Sequence, residues 1–130
     1  MKKLVILLVI LLVLGLFLVT GCSKKESLRL ESISMKQVHD ISENIEEYPD
    51  YVIVDVRSVE EYRSGHIKNA VNVPLPNIKE IDIPKDKKVI VYCRSGSRSL
   101  TSAGELHKLG YKYIYNMGGI LDWEYELVKE

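Results

Sequence analysis

Cys93 closes the run Lys88-Val89-Ile90-Val91-Tyr92-Cys93 and opens Arg94-Ser95-Gly96-Ser97-Arg98-Ser99. A thiol is a nucleophile only as thiolate, and its free pKa of about 8.5 falls where positive charge or N–H donors surround it. The residues after Cys93 supply both. Arg94 and Arg98 carry full charge, Ser95, Ser97 and Ser99 carry hydroxyls, and Gly96 permits a turn that a β-carbon would obstruct. A helical pattern follows, so backbone amides of the loop and the first helical turn converge on the sulfur. Such a nest can hold an anionic substrate or an anionic product formed on sulfur.

The elements that must position this loop can be read from hydrophobic spacing. After Lys88, residues 89–93 form an apolar, largely β-branched run, the pattern of a strand buried on both faces. Residues 51–56 repeat that pattern, and shorter strands are expected at 30–33, 70–73 and 113–116. Ser34-Met35-Lys36-Gln37 and Ser58-Val59-Glu60-Glu61 are capping-box patterns. The first precedes an apolar face at Val38, Ile41 and Ile45, and the second opens a short helix that stops at Gly65. Pro74-Leu75-Pro76 is read as a break in regular structure, and residues 84–87 as a charged turn. After the loop, Leu100, Ala103, Leu106 and Leu109 mark a helix face that ends at Gly110. Gly118-Gly119 is read as a turn into a last helix over 120–128. Strands alternating with helices predict one α/β domain: a central, mostly parallel sheet of about five strands with helices on both faces. Ligands of such sheets bind outside the carboxyl ends of the strands, where Cys93 stands.

The N-terminus follows other rules. Met1-Lys2-Lys3 is a positive n-region, and residues 4–19 are apolar apart from Gly15. The stretch is short for a spanning helix and has signal-peptide flanks. Val19-Thr20-Gly21-Cys22 resembles the bacterial lipobox, whose cysteine is lipidated and becomes the new N-terminus. That reading divides the chain into a removed signal peptide at 1–21, a lipidated Cys22 with a polar tether to residue 28, and a domain at 29–130. It places the protein on a membrane surface outside the cytoplasm, held by the lipid rather than by a span; an uncleaved signal anchor is the other reading. The mature chain would keep 109 residues, with 16 basic against 18 acidic, enough to bury one core. With Cys22 acylated, Cys93 is the one thiol left, so no internal disulfide can form. The formal net charge is zero and suggests no nucleic-acid footprint, which would need a clustered basic face, so no nucleic-acid partner is expected.

Asp55-Val56-Arg57-Ser58-Val59-Glu60-Glu61-Tyr62, then Gly65-His66-Ile67, Ala70, Asn72 and Pro74, resembles the signature of the rhodanese family. Cys93-Arg94-Ser95-Gly96-Ser97-Arg98 resembles its active-site loop, and Gly118-Gly119-Ile120 with Trp123 fits as well. The resemblance covers nearly all of the mature chain. It implies a single-domain sulfurtransferase that carries sulfane sulfur as a persulfide on Cys93, with no metal or organic cofactor. The donor would be a small anion such as thiosulfate and the acceptor cyanide or a thiol. Arg94 and Arg98 are expected to bind the anion, with Ser95, Gly96 and Ser97 lining the loop. The amides of residues 94–98 are expected to stabilise the persulfide. Asp55 and Arg57 are expected to brace the loop, with Asp55 accepting loop N–H bonds and Arg57 pairing with Glu60 or Glu61. His66 is expected to make a structural hydrogen bond, and His39 and His107 to lie on the surface. No His/Cys/Asp/Glu group has metal-ligand spacing. A carrier or docking module that hands sulfur to a thioredoxin-like or other thiol protein is a second reading. A phosphatase or arsenate reductase is a third, disfavoured because those relatives use a longer Cys-x5-Arg loop where this chain has Cys93-x4-Arg98.

Overall fold

A computed structural model describes residues 1–16 and 30–130. Cys22 and its tether lie outside the described residues. The apolar N-terminal run forms helix α1, Lys2–Leu16, and no described helix is long and apolar enough to cross a membrane. The remaining elements follow in chain order: β1 Leu30–Ser32, α2 Met35–Glu43, β2 Tyr51–Asp55, α3 Val59–Ser64, β3 Val71–Asn72, β4 Lys88–Cys93, α4 Ser97–Lys108 and β5 Tyr113–Gly119.

The five strands form one sheet in the order β1-β5-β4-β2-β3, parallel throughout. β4 lies at its centre, and its alternation explains why. Val89, Val91 and Cys93 face one core layer, together with Ala103 and Leu106 of α4. Ile90 and Tyr92 face the other, together with Val38 and Ile41 of α2. All five of these β4 side chains have 0% exposure, so the sheet is covered on both faces, as the apolar run requires. Burying each such Val or Ile contributes about 1.5–3 kcal/mol.

Local signals hold where their polar groups find partners. Ser34 and Ser58 are N-caps with complete capping boxes to Gln37 and Glu61. α4 closes in a Schellman turn: Gly110 N donates to His107 O and Tyr111 N to Leu106 O, with Gly110 at φ +95°.

Three expectations need correction. Residues 120–128 form no helix. Ile120 N and Leu121 N donate to Cys93 O and Arg94 O, and Val128 exchanges both backbone bonds with His66 at 2.9 Å. The segment therefore straps the end of the sheet instead of coiling. Leu100 is 55% exposed; α4 starts at Ser97, and Ser99, Ser102, Ala103 and Leu106 form its buried face. The prolines at 74 and 76 lead a 3-10 helix, Leu75–Glu80, because proline suits the first turn, where an N–H has no partner.

Candidate active site

Cys93 ends β4, three residues turn, and α4 begins at Ser97. Gly96 caps the helix at φ +107°, a left-handed conformation that favours glycine. This turn brings Gly96 N to 3.0 Å from Cys93 Sγ, donating to it. Burial pushes the thiol pKa up, but hydrogen bonding from the Ser99 amide and hydroxyl and from the Gly96 and Arg98 amides outweighs it, and the thiol lies below its ordinary 9.0. The Ser99 hydroxyl also donates to Gly96 O at 3.0 Å, tying the first turn of the helix to the loop. The donors thus come from residues 96, 98 and 99, one residue further along than the span expected. Ser95 and Ser97 are exposed on the rim, and Arg94 is exposed beside them.

The arginines divide their work. Arg98 makes two bonds to the Glu61 carboxylate, at 2.7 and 2.9 Å. That pairing, first among the causes, holds the Glu61 carboxyl at about 2 against an ordinary 4.5. Arg98 is therefore clamped to α3 with its charge beside the sulfur, and the thiolate is a smaller cause of its raised pKa. Arg94 has no ion-pair partner among the described residues.

Asp55 and Arg57 brace each other. Asp55 accepts from Arg57 N at 2.9 Å, Nε at 3.0 Å and an Nη at 2.6 Å, and that Nη also donates to Gly65 O at 2.7 Å. Asn72 Nδ2 donates to both of their carbonyls at 3.0 Å. Two expectations are corrected here. Arg57 does not pair with Glu60 or Glu61, because Asp55 beside it in a buried site is the better partner. Asp55 accepts no bond from the Cys93 loop, because its oxygens are taken. The pair fixes the β2–α3 corner that carries Glu61, and so supports the loop at one remove. His66 makes the expected structural bond, its Nδ1 lying 2.8 Å from Tyr62 O.

Two supports were not read as such in the sequence. Glu61 was seen as a cap, and its second bond to Arg98 depends on tertiary structure. Gly119 was seen as a turn. It lies in a strand extended by an irregularity at residues 116–118, where Val91 faces Asn116 and Tyr92 faces Gly118. Asn116 Oδ1 accepts from Gly118 N at 3.0 Å and holds that kink. A β-carbon on Gly119 would lie 2.5 Å from Arg94 O and 2.8 Å from Ser95 Cα. Gly119→Ala is therefore expected to push the loop off the sulfur, lowering turnover at least about tenfold and stability by about 1–3 kcal/mol. Gly104→Ala, on α4 with nothing within 4 Å of its β-carbon, is the control and should be neutral or stabilising. Parallel activity assays and urea melts of the two variants decide it; equal behaviour would contradict the packing argument.

Next to Arg94 lies a cleft of about 580 Å³. Arg57, Glu60, Glu61, Ser64, Gly65, Ile120, Leu121, Trp123 and Leu127 line it with Arg94. Among the described residues no group of three His, Cys, Asp or Glu side chains is arranged to hold a metal ion.

Comparison with known proteins sets this geometry in a family. The family model described as "Rhodanese-like domain" matches residues 37–126. A protein named "Sulfurtransferase" from Allochromatium vinosum is 37% identical over 86 residues, covering 64% of this chain and 80% of its own. The tRNA uridine(34) hydroxylase of Hamiltonella defensa is 34% identical over 96 residues, covering 67% of this chain but 27% of its own. The crystal structure of a rhodanese-related protein from Thermoplasma volcanium superposes with a TM-score of 0.62 at 33% identity, over 77% of this chain and 99% of its own. With a parallel five-stranded sheet, a cysteine loop at its carboxyl edge and a family match over most of its length, the chain belongs to the rhodanese-like domain family.

Proposed function

We propose that this protein transfers sulfane sulfur through a persulfide on Cys93, taking it from thiosulfate and passing it to cyanide or a thiol. The observation that carries the reading is the amide nest around Sγ, with Gly96 N at 3.0 Å and the thiol held below its ordinary pKa. The sulfurtransferase relative of similar length supports it. The Cys93 thiolate attacks the outer sulfur of thiosulfate, and the S–S bond breaks. Sulfite leaves with the bonding pair, and Cys93 carries –S–S⁻. Arg94 steers the dianion and stabilises the departing sulfite, while the nest holds the terminal sulfur anion. Cyanide then takes that sulfur as thiocyanate and releases the thiolate. The tight loop at Cys93 suits one sulfur atom. The test is thiocyanate formation from thiosulfate and cyanide; absence of turnover with a fully reduced protein would contradict the reading.

The thiolate requirement fixes the pH dependence. Because hydrogen bonding to the sulfur holds the folded thiol below its ordinary pKa, its alkylation by iodoacetamide should reach half-maximum at a lower pH than in urea-unfolded protein. Matching native and unfolded profiles would contradict activation by the nest.

The proposed site of attachment is a lipid on Cys22, with residues 1–21 removed. The n-region, the apolar run and the Thr20-Gly21-Cys22 ending support it. Cys22→Ser should leave the protein with residues 1–21 uncleaved and free of acyl label; cleavage and labelling as in the wild type would contradict it.

A further inference from the structure

The amino end of the sheet carries a surface that the sulfur chemistry does not use. Because the strands are parallel, Leu30, Tyr51, Lys88 and Tyr113 begin theirs at one end, and Cys93 lies at the other, about 17 Å further along β4. Tyr51, Lys88, Tyr113 and Tyr115 fall on the α2 side of the sheet, in alternation with the buried Ile53, Ile90 and Met117. Tyr113 is 49% exposed, and Tyr48, in the turn between α2 and β2, is 37% exposed. Tyr51 and Tyr115 are half-buried. The rings adjoin: Tyr51 lies 6.0 Å from both Tyr48 and Tyr115, and Lys88 Nζ stands 4.9 Å over the Tyr51 ring.

These rings differ from the other tyrosines of the core. The hydroxyls of Tyr62, Tyr92 and Tyr111 engage backbone groups, whereas those of Tyr48, Tyr51, Tyr113 and Tyr115 have no hydrogen-bond partner among the described residues. An apolar ring with a free hydroxyl suits a boundary that is oily on one side and wet on the other. Charge does not choose the partner, because Lys88 and Lys112 stand here with Glu31, Glu46, Glu47 and Asp50. An aromatic patch of mixed charge fits the headgroup–acyl boundary of a bilayer, where tyrosine concentrates. The chain brings that partner to the patch. Leu30 begins β1 beside Ile114, at the same end of the sheet, and the eight steps from Cys22 to Leu30 reach at most about 28 Å.

We infer that Tyr48, Tyr51, Tyr113 and Tyr115 rest in the headgroup–acyl boundary of the bilayer that holds the lipid. The sheet then stands on its amino end, and the Cys93 loop opens away from the membrane. The inference rests on the reading of Cys22 as lipidated. A tether of this reach permits several orientations of the domain, and the tyrosine patch selects one of them.

The experiment reads which end meets lipid. The full chain, processed in a bacterial host and shown by intact mass to carry acyl groups, is reconstituted into phosphatidylcholine vesicles with or without bromine on the acyl chains. Trp123, the single tryptophan, reports from the strap at the carboxyl end. Tyr113→Trp adds a reporter in the patch, and Lys108→Trp adds one at the end of α4, on the opposite face of the same end of the sheet. Brominated lipid is expected to quench the emission added by Tyr113→Trp at least about twofold more than that added by Lys108→Trp, and to leave Trp123 within about a tenth of its unquenched emission. The difference should persist in high salt, since charge does not choose the partner. Equal quenching of the two added reporters would overturn the inference, because the domain would then tumble on its tether. Quenching of Trp123 above both would overturn it by setting the other end on the membrane. A dimer in detergent that Tyr113→Asp dissociates would overturn it by giving the patch to a second copy. A protein that carries no acyl group and does not float with the vesicles would remove the lipid reading of Cys22, and this inference with it.

Discussion

Cys93→Ser is expected to reduce thiocyanate formation at least about 10³-fold, to the uncatalysed background, because the variant loses the one group that can hold sulfur between donor and acceptor. The effect belongs to chemistry and not to folding. Serine is nearly isosteric with cysteine, and Gly96 N, which donates to Sγ at 3.0 Å, can donate to a hydroxyl oxygen there. Cys93 has 0% exposure, so the replacement buries a hydroxyl. With its oxygen accepting that bond the cost is about 1 kcal/mol. Circular dichroism should therefore match the wild type, and a urea melt should show a loss of no more than about 1 kcal/mol, while turnover vanishes. Residual turnover above one tenth would show that another group carries the sulfur.

Asp55→Ala is expected to give the largest loss of stability, about 3–5 kcal/mol. Asp55 has 0% exposure and Arg57 6%. Removing the carboxylate leaves a guanidinium in the interior with the Gly65 carbonyl as its remaining partner. A domain of this size has a margin of about 5–15 kcal/mol, so the variant stands near its unfolding threshold. The same physics predicts a partial rescue. Asp55→Ala/Arg57→Met removes both charges and should recover much of the loss, because what hurts is the orphaned charge and not the missing pair. Urea unfolding of the two variants separates these outcomes; a double variant no more stable than the single one would contradict the account of the corner.

Much of this arrangement was legible in residue types. The uninterrupted apolar run at 89–93 needed cover on both faces, and a parallel sheet is the usual way to provide it. The serine caps declared themselves because both of their partners lie within three residues. The C-terminal segment misled because Ile120, Trp123 and Leu127 mimic one face of a helix. The backbone N–H groups of Ile120 and Leu121 donate instead to the carbonyls of Cys93 and Arg94, a tertiary contact that spacing alone does not reveal. The arginines misled for a related reason. Three guanidinium groups and three carboxylates lie within one corner, and the sequence states their number but not their pairing. The fold settles it, burying Asp55 with Arg57, bringing Glu61 against Arg98 at the partly exposed loop, and leaving Arg94 and Glu60 facing water.

The central claim is that Cys93 carries sulfur, and intact mass measures it most directly. Reduced protein is incubated with thiosulfate, freed of excess, and weighed beside Cys93→Ser. The account predicts a gain of one sulfur atom in the wild type, removed by cyanide and absent from the variant. No gain in a protein whose Cys93 alkylates readily would contradict it.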